Sequence, residues 1–468
     1  MSDQPTYGPD VQAYIDRAKI LLAERAAVLA RARTMKFDTL AVHGLYTVEE
    51  ALRLNQGAII EPVYFSTSQA YRDAAELEAA LAYLIPTWCY TRIANPTTTY
   101  LEETLALLEG YGTGLDTSCC VTASGLAAIV LATDPFVIRP EGGSQRVNFV
   151  SSIQVYGGTF QHFSVRLMGE RGVECRWVLQ PSDIGEWAAR VDEDTRFLFM
   201  EAPSNPQQSF ADLKALAGLA HRWEIPLIVD ATCATPALMR PLAHGADIVV
   251  QSLTKSATMG GSAVAGALVS RKPIVTKLGR DNPLFREDFA QYVKLYPYRD
   301  SGAAPSPLNA FLVSNDLRTL RSKMDLVSLN CQKVAEFLRT HPRVYQVDYL
   351  GLPDHPLHGI AGTHMKLVDS DDGTGNEVNR YGHLMGFRVD GPPENARKVF
   401  DRFRMIYRAT DLGRIKSVAT IPAISTHQQQ GEEARRLADI PPQLIRLCVG
   451  AEHPDDVMAD LDQALAAL

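Results

Sequence analysis

The sequence predicts an α/β protein with a mostly parallel, doubly wound sheet, an N-terminal arm before it and a smaller α+β domain after it. Three observations lead there. The chain has 468 residues, more than one hydrophobic core organises. Its middle portion alternates short apolar runs with helical stretches, which is the rhythm of strand–helix–strand units. The apolar runs are closed by polar or glycine residues, as buried parallel strands are.

Taken in order, residues 11–33 have a helical pattern rich in Ala, Leu and Arg. Phe37-Asp38-Thr39-Leu40-Ala41-Val42-His43 and Ile60-Glu61-Pro62-Val63-Tyr64 follow without strand–helix alternation, so residues 1–85 read as an arm. Residues 86–310 read as the large domain. Strands are expected at 147–150, 175–179, 197–200, 227–229, 248–250 and 264–269, and helices at 126–133, 158–168 and 213–223. Ser301-Gly302-Ala303-Ala304-Pro305 closes that region. A long amphipathic helix over 317–340 opens the C-terminal domain, assigned to residues 311–468.

Composition narrows the function. The chain is 46% hydrophobic and 21% charged, an ordinary globular balance. A net charge of −8 with no basic run argues against nucleic acid or an anionic membrane as partner. No apolar stretch approaches the ~20 residues needed to span a bilayer. Met1-Ser2-Asp3-Gln4-Pro5 shows neither a basic nor an apolar export region. Seven cysteines without a CxxC pair suit small buried side chains in a reducing cytoplasm, and no metal site is expected. A small-molecule substrate is the remaining expectation.

The chemistry concentrates around Lys255. Pro226-Leu227-Ile228-Val229 ends in Asp230, and Ala246-Asp247-Ile248-Val249-Val250 leads into Gln251-Ser252-Leu253-Thr254-Lys255. Read as neighbouring strands, these runs put an acid and a lysine on one rim of the sheet. Pyridoxal 5′-phosphate (PLP) requires that pair: a lysine to hold its aldehyde as a Schiff base, and a carboxylate to keep its pyridine nitrogen protonated. Ser252 and Thr254 add hydroxyls suited to a phosphate.

This segment resembles the PLP-lysine region of the Cys/Met-metabolism enzymes, a family of cystathionine synthases and lyases, methionine γ-lyase and the acylhomoserine sulfhydrylases. The resemblance covers most of residues 36–468 and implies the PLP-dependent transferase fold type I. Tyr90-Thr91-Arg92-Ile93-Ala94-Asn95-Pro96-Thr97 matches the family's Tyr-x-Arg-x-x-Asn-Pro-Thr signature. That match implies that Tyr90 and Arg92 serve the cofactor phosphate of a neighbouring subunit, with Tyr90 also near the substrate. A homo-oligomer, a dimer or dimer of dimers, is therefore expected. Ser124, Gly125 and Leu126 open a helix whose backbone N–H groups suit the same phosphate.

The resemblance further implies that Tyr156 stacks on the cofactor ring and acts as an acid toward the leaving group, and that Asn205 donates to the ring's phenolic oxygen. Arg446, in Arg446-Leu447-Cys448-Val449-Gly450-Ala451-Glu452, becomes the clamp for the substrate's α-carboxylate, with Ser417 as a substrate contact. Lys255 would take the α-proton. Methionine γ-lyases typically carry a cysteine two residues after the stacking tyrosine, where this chain has Gly158. Val418-Ala419-Thr420-Ile421-Pro422 also departs from the family wording, as does Gly261-Ser262-Ala263-Val264 after the lysine. The expected activity is γ-replacement or γ-elimination on a homoserine-type amino acid, most like an O-acetylhomoserine sulfhydrylase. The alternative is a γ-lyase acting on canavanine, cystathionine or a similar substrate, and a non-catalytic binding subunit is more remote.

Overall fold

The computed structural model describes residues 7–86, 88–138, 146–279 and 281–468. Residues 1–5, read above for an export region, lie outside them.

Seven strands form the large sheet: β1 (Thr117–Thr122), β2 (Asn148–Ser152), β3 (Glu174–Val178), β4 (Thr195–Glu201), β5 (Leu227–Asp230), β6 (Ile248–Gln251) and β7 (Gly266–Arg271). Their spatial order is β1-β7-β6-β5-β4-β2-β3. The strands from β6 to β3 run parallel to their neighbours, whereas β7 runs antiparallel to both β6 and β1. The run expected at 264–269 is thus a strand, shifted by two residues and reversed in direction.

Side-chain alternation explains why both faces are covered. Leu198, Met200, Val229 and Val249 point into one buried cluster. Phe197, Phe199, Ile228, Ile248 and Val250 point into another. Strands buried on both faces read as continuous apolar runs, which is why β5 and β6 were legible. Phe149 stacks on Phe197 at 4.7 Å between ring centroids and fixes the second face.

The arm is helical rather than extended. Pro9–Ala32, Phe37–His43, Val48–Leu54 and Ala74–Leu81 are helices, the last two capped by Thr47 and Asp73 side chains. Arg25 ties the first to the Leu45 carbonyl at 3.0 Å, to Glu50 and to Glu103 on the helix Pro96–Gly110.

The C-terminal domain holds β8 (Val344–Asp348), a small hairpin of β9 (Lys366–Asp371) and β10 (Glu377–Asn379), then β11 (Leu384–Val389), β12 (Tyr407–Arg408), β13 (Val418–Thr420) and β14 (Leu444–Cys448). Apart from the hairpin, these strands form one sheet in the order β12-β13-β14-β11-β8. The helix expected over 317–340 runs from Leu320 to Thr340, and a separate helix, Pro307–Leu317, precedes it. Ser306 caps the preceding helix through the Asn309 N–H, with Pro307 in its first turn. The helix expected over 158–168 starts as Gly157–Gln161 and widens into a π-type stretch, His162–Glu170.

Candidate active site

Parallel register creates the site. Glu201 on β4 sits opposite Asp230 on β5, and Asp230 sits opposite Val250 on β6, so the carboxyl ends of three strands lie side by side. Asn205, Asp230 and Lys255 lie at or just past these ends, at the rim where open α/β sheets place ligands.

Asp230 is 6% exposed. Its Oδ1 accepts from the Thr232 N–H at 3.0 Å and from the Thr232 hydroxyl at 2.6 Å. The same hydroxyl oxygen accepts the Ser252 N–H at 2.8 Å, coupling the acid to the lysine segment. Burial lifts the Asp230 carboxyl to about 6, against the two donations from Thr232. Glu201 is buried beside it and anchors two neighbours. Its Oε1 accepts the Asn205 N–H at 2.7 Å and its Oε2 accepts the Tyr156 N–H at 2.6 Å. Burial, reinforced by the Asp230 charge, pushes the Glu201 carboxyl well above the usual range. Neither Thr232 nor Glu201 was assigned a role from sequence.

Lys255 lies in the irregular turn Leu253–Ala257 with φ −98° and ψ −126°, outside helical values. Its Nζ donates to Asp411 Oδ1 at 2.6 Å. Arg414 pairs with the other Asp411 oxygen and donates from Nη1 to the Thr254 carbonyl at 2.8 Å. The turn carrying Asp411 meets Lys255 backbone to backbone. Gly413 has φ +72°, and a Cβ there would lie 2.6 Å from the Lys255 carbonyl carbon and 2.4 Å from the Ser256 nitrogen. Only glycine fits both conditions.

Arg446 reaches the rim from β14. Its Nη1 donates to Asn205 Oδ1 at 3.1 Å, and its Nη2 donates to the carbonyls of Thr410 and Asp411 at 2.9 and 2.6 Å. The residue is 1% exposed and its Nε has no partner. Tyr156, with its backbone held by Glu201, is exposed at the rim. Its ring folds over Gly158, where a Cβ would come within 2.5 Å of the ring.

On the phosphate side, Ser124 caps the helix Gly125–Thr133 by accepting the Ala127 N–H at 3.1 Å, which leaves its own O–H free to donate. Gly125 is required by proximity, since a Cβ there would lie 2.5 Å from Ser252 Cβ. The Gly125 and Leu126 N–H groups therefore open beside Ser252.

Several expected residues stand elsewhere. Thr254 bonds both the carbonyl and the N–H of Ala265 through its hydroxyl, at 3.1 Å each. Ser417, expected as a substrate contact, is fully buried, with its hydroxyl bonded to Glu452 and to the Gly450 N–H at 2.9 Å each. Val418, Ala419 and Thr420 form β13, buried against β14. Asp411 and Arg414, from the turn before Ser417, stand beside Lys255 instead. Tyr90 and Arg92 stack on each other at 5.4 Å on the arm side, and Arg92 bonds the Arg299 carbonyl. No hydrogen bond or ion pair among the described residues joins them to the Lys255 group.

The family model for Cys/Met metabolism PLP-dependent enzymes matches residues 38–466. The chain belongs to this family. It is a PLP-dependent enzyme of fold type I. The O-acetyl-L-homoserine sulfhydrylase 1 of Thermus thermophilus is 32% identical over 449 residues, covering 92% of this chain and 100% of that protein. The homocysteine synthase of Schizosaccharomyces pombe is 31% identical, covering 92% and 98%. The L-methionine gamma-lyase of Porphyromonas gingivalis is 32% identical, covering 92% and 97%. Among solved structures, a provisionally assigned O-acetylhomoserine (thiol)-lyase from Campylobacter jejuni has a TM-score of 0.80 at 30% identity, covering 92% of this chain and all of that one. That protein carries N′-pyridoxyl-lysine 5′-monophosphate. The enzyme's own residues fit the cofactor: a partly buried lysine, a buried acid on the next strand, and a helix start pressed against Ser252.

Proposed function

We propose that the enzyme carries out γ-replacement or γ-elimination on a homoserine-type amino acid, most like an O-acetylhomoserine sulfhydrylase. One observation carries the reading: Arg446 is a buried guanidinium bonded to an amide and two carbonyls, with no carboxylate of the described residues paired to it. A buried cation in that state suits an external carboxylate, and the forked geometry of arginine matches an amino acid's α-carboxylate.

In this reading Lys255 holds PLP covalently, Asp230 faces its pyridine nitrogen, and Asn205, fixed by Glu201 and Arg446, faces its phenolic oxygen. The Gly125 and Leu126 N–H groups with the Ser124 and Ser252 hydroxyls hold the phosphate. Thr254 supports that loop through Ala265 rather than donating to the phosphate. Bound PLP supplies the electron sink for charge developing at the substrate's carbons. Arg446 orients the substrate, Lys255 Nζ takes the proton from Cα, a second proton then leaves Cβ as the bond from Cγ to its substituent breaks, and the Tyr156 hydroxyl protonates the departing γ-substituent. Sulfide or a thiol then adds at Cγ in replacement, whereas hydrolysis gives a 2-oxo acid and ammonia in elimination.

The second reading, a γ-lyase for canavanine, cystathionine or a similar amino acid, is favoured by the charged Asp411–Arg414 pair beside Lys255. Incubation with O-acetylhomoserine, canavanine and cystathionine, each with and without sulfide, separates the two. Homocysteine formed only with sulfide supports the first, and sulfide-independent 2-oxo acid supports the second. No turnover of any of them by PLP-loaded protein would overturn both and leave a binding subunit.

A dimer with shared sites, pairing further into a tetramer, accords with Tyr90 being 44% exposed and bonded away from its own Lys255, and with Ile59, Phe65 and Trp88 exposed nearby in sequence. Mixing inactive Arg92→Ala and Lys255→Ala subunits should restore activity, since one hybrid site is intact. Proven hybrids without activity would refute shared sites. The free cysteines suit a cytoplasmic setting.

A further inference from the structure

We propose that Asp411 is a positioning residue for Lys255, the counter-ion of the Lys255 nitrogen whenever that nitrogen carries a proton. The inference rests on the reading of Lys255 as the PLP lysine. It adds a second acid to the site, from the C-terminal domain, acting on the lysine rather than on the ring.

The geometry is specific. The Lys255 Nζ to Asp411 Oδ1 distance is 2.6 Å, in the range of a charge-assisted hydrogen bond. Asp411 cannot swing away freely, because three other contacts hold it. Its Oδ1 accepts the Leu412 N–H at 2.9 Å, its Oδ2 is paired with Arg414, and its carbonyl accepts from Arg446 at 2.6 Å. Gly413 then fixes the turn against the Lys255 backbone. Although burial opposes ionisation, the donations from Lys255 and Arg414 hold the Asp411 carboxyl below its usual range. It is therefore a carboxylate at neutral pH. Both side chains are less than one-third exposed, so water screens the pair only in part.

Other charged or titratable groups face this pair from every packed element. Arg414 lies on the same turn and Arg446 on β14. Cys448, also on β14, accepts the Gly413 N–H, and His383 touches Ser256. Asp230, Glu201 and Tyr156 line the rim, while Asp316 and Lys323 bind the turn after Thr258. None of these replaces the 2.6 Å contact, and all remain when Asp411 alone is changed.

A fixed carboxylate beside an amine favours the protonated form. The cost of stripping the proton from Lys255 Nζ therefore depends on Asp411, as does the return of that proton after it has been used as a base. A merely structural Asp411 would leave that balance alone.

The test uses wild-type, Asp411→Asn and Asp411→Ser holoenzymes. Visible absorbance of bound PLP is titrated against pH, since the band reports whether the nitrogen joining PLP to Lys255 carries a proton. Removing an opposite charge at contact distance should lower the midpoint by about one to three pH units in both variants. The serine variant retains a hydroxyl for the Leu412 N–H and carries the test if the asparagine variant does not fold. Borohydride reduction followed by peptide mapping identifies the modified lysine in each protein. A midpoint unchanged in both variants, with Lys255 modified, would overturn the role of Asp411. Modification of a different lysine would instead overturn the reading of Lys255, and this proposal with it.

Discussion

Replacing Arg446 separates substrate grip from chemistry. The guanidinium makes three hydrogen bonds within the protein and leaves Nε unpartnered in a 1% exposed site. A substrate carboxylate bound there would be desolvated and paired by charge-assisted bonds. Truncating one partner of such a pair costs about 2–5 kcal/mol. At about 1.4 kcal/mol per tenfold, Arg446→Ala should raise KM roughly thirty- to several-thousand-fold. The α-carboxylate is common to all candidate substrates, so the penalty should be nearly equal across them. Arg446→Lys, which keeps the charge but loses the fork, should fall between. Steady-state kinetics on O-acetylhomoserine, canavanine and cystathionine measures this, with PLP absorbance as a control because Arg446 also supports Asn205 and Asp411. A KM within threefold of wild type would refute the clamp, as would a penalty that tracks the γ-substituent.

Two further predictions concern the scaffold. Glu109 is fully buried, accepts from the Gln251 side chain, and has Oε2 without a partner; burial lifts its carboxyl to about 8 against a nearby Arg240. The unfolded chain loses this proton above about pH 4.5, while the folded chain keeps it until about pH 8. Folding stability therefore falls across that interval, by a few kcal/mol at about 1.4 kcal/mol per pH unit. Glu109→Gln should gain on wild type in denaturant unfolding as pH rises from 5 to 8, and a gain independent of pH would contradict this. Gly413→Ala should destabilise the protein by about 1–3 kcal/mol, given its positive φ and its approach to Lys255, and should weaken PLP retention. Unchanged stability and retention would show that the turn can move aside.

The sheet was legible because buried parallel strands are continuous apolar runs. β5 and β6 stand out in the sequence, and their carboxyl ends deliver Asp230 and Lys255 to one rim. The reversal of β7 was not legible, since a strand's composition does not encode its direction. Within the candidate site, the residues that the sequence singles out lie next to a strand end (Asn205, Asp230 and Lys255) or in a motif (Arg446). Glu201 was passed over because a terminal strand acid looks the same whether it braces a loop or faces solvent. Asp411 was missed because its contact with Lys255 spans 156 residues and forms only when the C-terminal domain docks. Ser417, expected as a substrate contact, packs on Glu452 and the Gly450 N–H instead. A local match identifies a segment, but only the fold shows which of its residues face the lysine.

In the proposed reaction Lys255 carries PLP. Reducing the holoenzyme with borohydride, digesting it and mapping the pyridoxyl label by mass spectrometry tests that directly. The expected result is a label on Lys255 alone, with label and turnover both lost in Lys255→Ala. A label on any other lysine, or turnover retained by Lys255→Ala, would contradict it.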